Sequence, residues 1–82
     1  MKRIHRHARR RASQRYDFHL DQNSHYEIIK LIKHHNKDSA KFLEKQSNRV
    51  SIWEVNYKGR TFKVAYDRIR KQLITFLPNK DD

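Results

Sequence analysis

The alternation of apolar and polar positions is sharpest between Val50 and Tyr66, where VSIWEVNY and RTFKVAY flank Lys58-Gly59. Alternation with a period of two marks strands with one buried face. Gly59 is the only glycine in the chain. A two-residue hairpin loop of type I′ needs positive φ at both central positions, which glycine adopts freely and lysine at some strain. The turn then sets a register in which Tyr57 faces Arg60, Val55 faces Phe62, Trp53 faces Val64 and Ser51 faces Tyr66. Trp53, Val55, Tyr57, Phe62, Val64 and Tyr66 share the expected core face. The other face carries Ile52, Glu54 and Asn56 opposite Ala65, Lys63 and Thr61, with Glu54 across from Lys63 as a cross-strand ion pair.

Upstream, Ser24-His25-Tyr26-Glu27 has the form of a capping box and precedes the apolar run Ile28, Ile29, Leu31, Ile32. This predicts a helix over about 24–35, with His25, Ile28, Ile29 and Ile32 on its packed side. Residues 16–23 read as a connector and 36–39 as a loop. Residues 40–47, with Phe42 and Leu43, suit a strand or another helical turn and are read as a strand. After a loop over 67–71, Gln72 to Leu77 reads as a last strand ended by Pro78. That loop leaves the register open: if Ile74 and Phe76 face the core, Thr75 joins Lys63 on the polar face, and a slip of one residue reverses this.

Residues 2–15 hold Lys2, Arg3, Arg6, Arg9, Arg10, Arg11 and Arg15 and no acidic residue. The stretch reads either as an arginine-rich arm that orders on RNA or as a helix. At helical spacing Ile4, Ala8, Arg11, Ala12 and Arg15 fall in one arc with His7 at its border, so a basic helix over about 2–15 is expected to lie on the sheet. The expectation is one α+β domain spanning 1–82: two N-terminal helices packed on an antiparallel sheet of about four strands over 40–77.

Charge narrows the function. Twenty Lys and Arg against nine Asp and Glu give a net charge of +11, which favours a polyanionic partner, nucleic acid first and an acidic protein second. The chain has no cysteine, which removes disulfides and thiolate metal sites and suits a reducing compartment. No apolar run approaches a membrane span and no signal peptide is visible, so a cytoplasmic location without membrane association is expected. The six histidines lack ligand spacing: His5 and His7 diverge on a helix, and His34-His35 has no partner pair. No metal or other cofactor is expected, and neither a glycine-rich phosphate loop nor a GxSxG nucleophile is present.

His7-Ala8, Arg11 and Arg15 read H-A-x-x-R-x-x-x-R, and the C-terminal strands contain Val64-Ala65-Tyr66-Asp67 and Ile74-Thr75. With these motifs the chain resembles the small toxin-like and phage-associated domains of the RelE and colicin-type ribonuclease superfamily (the BECR fold), which includes barnase and the EndoU nucleases. The resemblance implies a metal-independent endoribonuclease of the toxin type. Such cleavage uses the ribose 2′-hydroxyl as nucleophile, so the protein supplies an acid, a base and cations for the charged phosphorane. His7 is the candidate acid or base, Arg11, Arg15 and Lys63 can bind the phosphate, and Thr75 can hydrogen-bond it. Arg3, Arg6, Arg9, Arg10, Tyr66 and Arg68 are the expected RNA contacts, with Tyr66 either stacking a base or packing in the core. The core-facing hairpin aromatics argue against a stacking platform on the open face. An acidic antitoxin or other acidic protein is the second partner class. Two rival readings stand beside the enzyme: a non-catalytic RNA- or DNA-binding module, and a phage-type inhibitor of an acidic host protein.

Overall fold

In a computed structural model, which describes residues 4–34 and 39–78, the hairpin forms with the expected register. Val50–Tyr57 pairs with Arg60–Asp67 so that Tyr57 meets Arg60, Val55 meets Phe62, Trp53 meets Val64 and Ser51 meets Tyr66. Lys58 and Gly59 both have positive φ, 52° and 78°, as a type I′ turn requires. In chain order the elements are α1 (Arg6–Tyr16), α2 (Gln22–Lys33), β1 (Ala40–Lys45), β2 (Val50–Tyr57), β3 (Arg60–Asp67) and β4 (Gln72–Leu77). The strands form one antiparallel sheet in the order β1-β2-β3-β4, so the fold is α+β with both helices preceding the strands.

The core lies between the sheet and the helices. It contains Trp53, Val55, Tyr57, Phe62, Val64 and Tyr66, joined by Leu73 and Phe76 from β4 and by Ile4, Ala8, Ala12, Leu20, Ile28 and Ile32 from the helical layer. Ala8 and Ala12 are fully buried, and their small side chains let α1 lie close along β4. His5 caps α1 by accepting the His7 N–H on Nδ1 at 3.1 Å. Asp17, in the left-handed region at φ 50°, ends the helix; its N–H bonds back to Ser13.

The start of α2 differs from expectation. The helix begins at Gln22 with Asp21 as N-cap, and Ser24 is the third helical residue. Asp21 Oδ1 accepts the Ser24 N–H at 2.8 Å while Ser24 Oγ accepts the Asp21 N–H at 3.0 Å, so Ser24 completes the box that Asp21 opens. An aspartate caps as well as a serine and sits at the extended residue preceding the first turn. Glu27 is thereby released to accept from Tyr57 Oη at 2.8 Å, fastening α2 to β2. The helix ends at Lys33 with His34 as its C-cap, short of the expected end near residue 35; His35 itself lies outside the described residues.

Two bulges revise the sheet edges. On β1, Phe42 pairs with Trp53 and Glu44 with Ile52, leaving Leu43 as the extra residue. On β4, Thr75 pairs with Ala65 and Leu73 with Tyr66, leaving Ile74 as the extra one. The core therefore takes Leu73 and Phe76, not Ile74 and Phe76, and Thr75 stays on the face of Lys63. That face is polar only in part, since Ile52 and Ala65 are buried on it outside the main core cluster. No helix among the described residues is long and apolar enough to cross a membrane.

Candidate nucleic-acid interface

Helix α1 buries one arc and leaves the opposite one bare. Arg6, Arg9, Arg10 and Ser13 follow the spacing i, i+3, i+4, i+7, which stacks them along one side of the helix. The turn at Asp17 sends the chain back beside that side. Leu20 is anchored in the core and Phe18 packs against it at 4.8 Å from the Phe62 ring, which leaves the intervening His19 exposed. Between this connector and α1 opens a cleft of about 740 Å³, lined by His5, Arg6, Arg9, Arg10 and Ser13 on one side, by Phe18, His19 and Leu20 on the other, and by Gln72 at the start of β4.

The lining of the cleft carries one sign of charge, with the Asp21 carboxylate acting on His19 from just outside it. None of its lining residues is acidic. Among the described residues no carboxylate lies within ion-pair distance of Arg6, Arg9 or Arg10; Asp67, away from the cleft, pairs with Arg49 at 2.8 Å. Like charges three and four residues apart destabilise a helix by a few tenths of a kcal/mol each. The first turn of α1 also lacks an acidic residue to offset the positive end of the helix dipole. A bound anion would relieve both costs. His5, with Nδ1 used as an acceptor, must carry its proton on Nε2, so it presents an N–H donor to an anion.

The expected RNA contacts Arg6, Arg9 and Arg10 are thus brought together, whereas the expected catalytic set is not. His7 is exposed on the first turn of α1, its ring 5.5 Å from that of His5. Arg11 donates to Gln14 Oε1 at 3.1 Å and Arg15 to the Phe76 carbonyl at 3.2 Å. Lys63, in register with Glu54 and Leu77, and Thr75, opposite Ala65, lie on the face of the sheet away from the helices. The thickness of the sheet separates those two from His7 and Arg11. Tyr66 is buried in the core, and burial first, then the neighbouring Asp67 charge, pushes its hydroxyl pKa up, so its ring packs instead of meeting a base. Arg68 is exposed beside the β3–β4 turn and donates to the Asn48 carbonyl at 2.6 Å. Arg3 lies outside the described residues.

No family model, curated protein or solved structure matches this chain. The resemblance to ribonuclease domains rests on the short motifs around His7, Arg11, Arg15, Val64-Ala65-Tyr66-Asp67 and Ile74-Thr75 alone. Among the described residues no three His, Asp or Glu side chains converge as a metal site would require.

His5 and His19 are the cleft residues that sequence reasoning passed over. A signal for His19 was present: in Phe18-His19-Leu20 the polar residue sits between two apolar ones that bury, which forces it outward. Histidine is not a favoured N-cap, so nothing in the sequence marked His5 for that position.

Proposed function

We propose that this protein binds RNA, gripping the phosphate backbone of a single strand in the cleft between α1 and residues 18–20. The observation that carries this reading is the set Arg6, Arg9 and Arg10, three guanidinium groups on one helix side, unpaired with any described carboxylate and lining one concave surface. Guanidinium forks match phosphate oxygens in geometry as well as charge. A single strand is favoured over a duplex because residues 18–20 run beside the arginine side of α1, which keeps that helix from entering a major groove. Fluorescence anisotropy with a labelled ten-residue RNA tests the reading: replacing Arg6, Arg9 and Arg10 by Gln should weaken binding at least about 10-fold at physiological salt. Unchanged affinity would overturn it.

A second reading adds cleavage without a metal, and what favours it is that two histidines line the same cleft as the arginines. In this version the cleft replaces the dispersed set His7, Arg11, Arg15, Lys63 and Thr75. His19 takes the proton from the 2′-hydroxyl, the oxygen attacks the adjacent phosphorus, the Nε2–H of His5 and the arginines stabilise the phosphorane, and the P–O5′ bond breaks as the 5′-oxygen takes a proton from water. RNA cut in the presence of EDTA to a 2′,3′-cyclic phosphate, with His19→Ala about 100-fold slower at unchanged affinity and His7→Ala near wild type, is the expected pattern. Binding with no cleavage of varied RNAs would leave the binding function alone.

A further inference from the structure

At the corner of the sheet farthest from α1, the inner face is left uncovered. Phe42 on edge strand β1 is 52% exposed, and its ring meets the indole of Trp53 edge-on at 5.5 Å. The two residues are cross-strand partners. They line a groove of about 420 Å³ whose rim carries Lys45, Arg49 and Arg68. Arg49, although paired with Asp67, keeps 46% of its side chain exposed. An accessible aromatic face bordered by cations is what an unpaired nucleobase and its phosphates require.

The position of this groove connects it to the arginine cleft. Gln72 lines the cleft and Arg68 lines the groove, so the turn of residues 68–71, which Arg68 opens and Gln72 follows, joins the two sites. Gln72 pairs with Asp67, and Asp67 with Val50, another residue of the groove. Both sites therefore open at the same end of the sheet, about 15 Å apart at the usual strand spacing. The exposed Arg68, Arg70 and Lys71 lie along the turn between them.

We infer that a single strand bound in the arginine cleft continues across the 68–71 turn and stacks one unpaired base on Phe42. This rests on the RNA-binding reading and adds to it a preference for unpaired bases and a second contact point. Trp53 is buried at 8% exposure and takes part through its neighbour, not by stacking itself. It is also the only tryptophan of the chain. Its emission thus reports on this corner alone.

The test uses the full chain with three probes, decaadenylate RNA, decaadenylate DNA and a ten-base-pair RNA duplex, read by Trp53 emission and by anisotropy. The single-stranded RNA should change Trp53 emission saturably. Phe42→Ala should weaken single-strand binding about 5- to 100-fold, the range for loss of one stacked base, and leave duplex binding unchanged. Phe42→Leu, which keeps an apolar side chain but removes the flat ring, should weaken it nearly as much, and Phe42→Tyr should restore it. Phe42→Ala and Phe42→Leu should stay folded with melting temperatures only slightly lowered, since Phe42 is half exposed and what they lose is its edge-on contact with Trp53. Decaadenylate DNA should show the same Phe42 dependence, because a base presents its face with either sugar, so any preference for RNA arises in the cleft. If Phe42→Ala and Phe42→Leu bind the single strand like wild type while the Arg6/Arg9/Arg10→Gln variant does not, the stack is wrong and the RNA reading stands. If the wild type binds none of the probes, both fail.

Discussion

The hydroxyl of Tyr16, the last residue of α1, donates to the Leu77 carbonyl at 2.6 Å and accepts the Lys63 N–H at 3.2 Å. It thereby joins the end of the helix to the β3 and β4 backbones where their ladder ends. Tyr16→Phe keeps the ring among Phe62 and Phe76 but leaves two backbone groups without this partner. A loss of about 1–3 kcal/mol is expected, measured by urea unfolding. Deleting residues 1–15 should abolish cooperative melting, since Ile4, Ala8 and Ala12 leave the core with it. A truncation that melts like the full chain would show that the basic segment is an arm.

The Gly59 turn gives a second prediction, about backbone strain alone. A Cβ built on Gly59 would meet nothing within 4 Å, so only its φ of +78° resists a side chain. Gly59→Val should cost about 1–3 kcal/mol and Gly59→Asn clearly less, because asparagine tolerates the left-handed region. Equal costs for the two in thermal melts would mean the turn relaxes into another type.

His25 makes stability depend on pH. It is buried, and burial lowers its pKa from the ordinary 6.5, while its Nε2 accepts the Leu73 N–H at 3.2 Å. The unfolded chain binds the proton more readily than the folded one, so acid favours unfolding. The contribution is complete above about pH 6.5, declines as pH falls below that value, and levels off once pH passes the lowered folded pKa. Melting temperatures between pH 8 and pH 4.5 should fall on the acid side, and His25→Gln should flatten the dependence near pH 6. An unaltered profile in the variant would place the titration elsewhere.

The parts of the fold legible in the sequence are those fixed by local rules. Gly59 and a two-residue loop set the β2–β3 register, and alternation then assigned which residues share each face, though not that Ile52 and Ala65 are buried on the second one. The bulges at Leu43 and Ile74 carry no composition signal: each depends on how an edge strand bends over the helices. At the site, the row Arg6, Arg9, Arg10 follows from helical spacing. What makes it a cleft is the reversal at Asp17, where a non-glycine residue adopts positive φ. Phe42 illustrates the same limit. Its strand could be read, but its exposure follows from how the helices settle, α1 along β4 and α2 over β2 and β4 with only a light touch on β1.

The salt dependence of RNA affinity separates binding in the cleft from binding by net charge alone. Each phosphate contact on a single strand contributes about 0.7 to the slope of log K against log[salt], so replacing Arg6, Arg9 and Arg10 by Gln should reduce its magnitude by about 2. A control removes the same charge from exposed positions outside the cleft, Lys30, Lys33 and Lys41, also to Gln. Its slope should stay within about 0.5 of wild type. Two variants with the same slope would contradict the account, since the binding would then follow net charge and not the cleft.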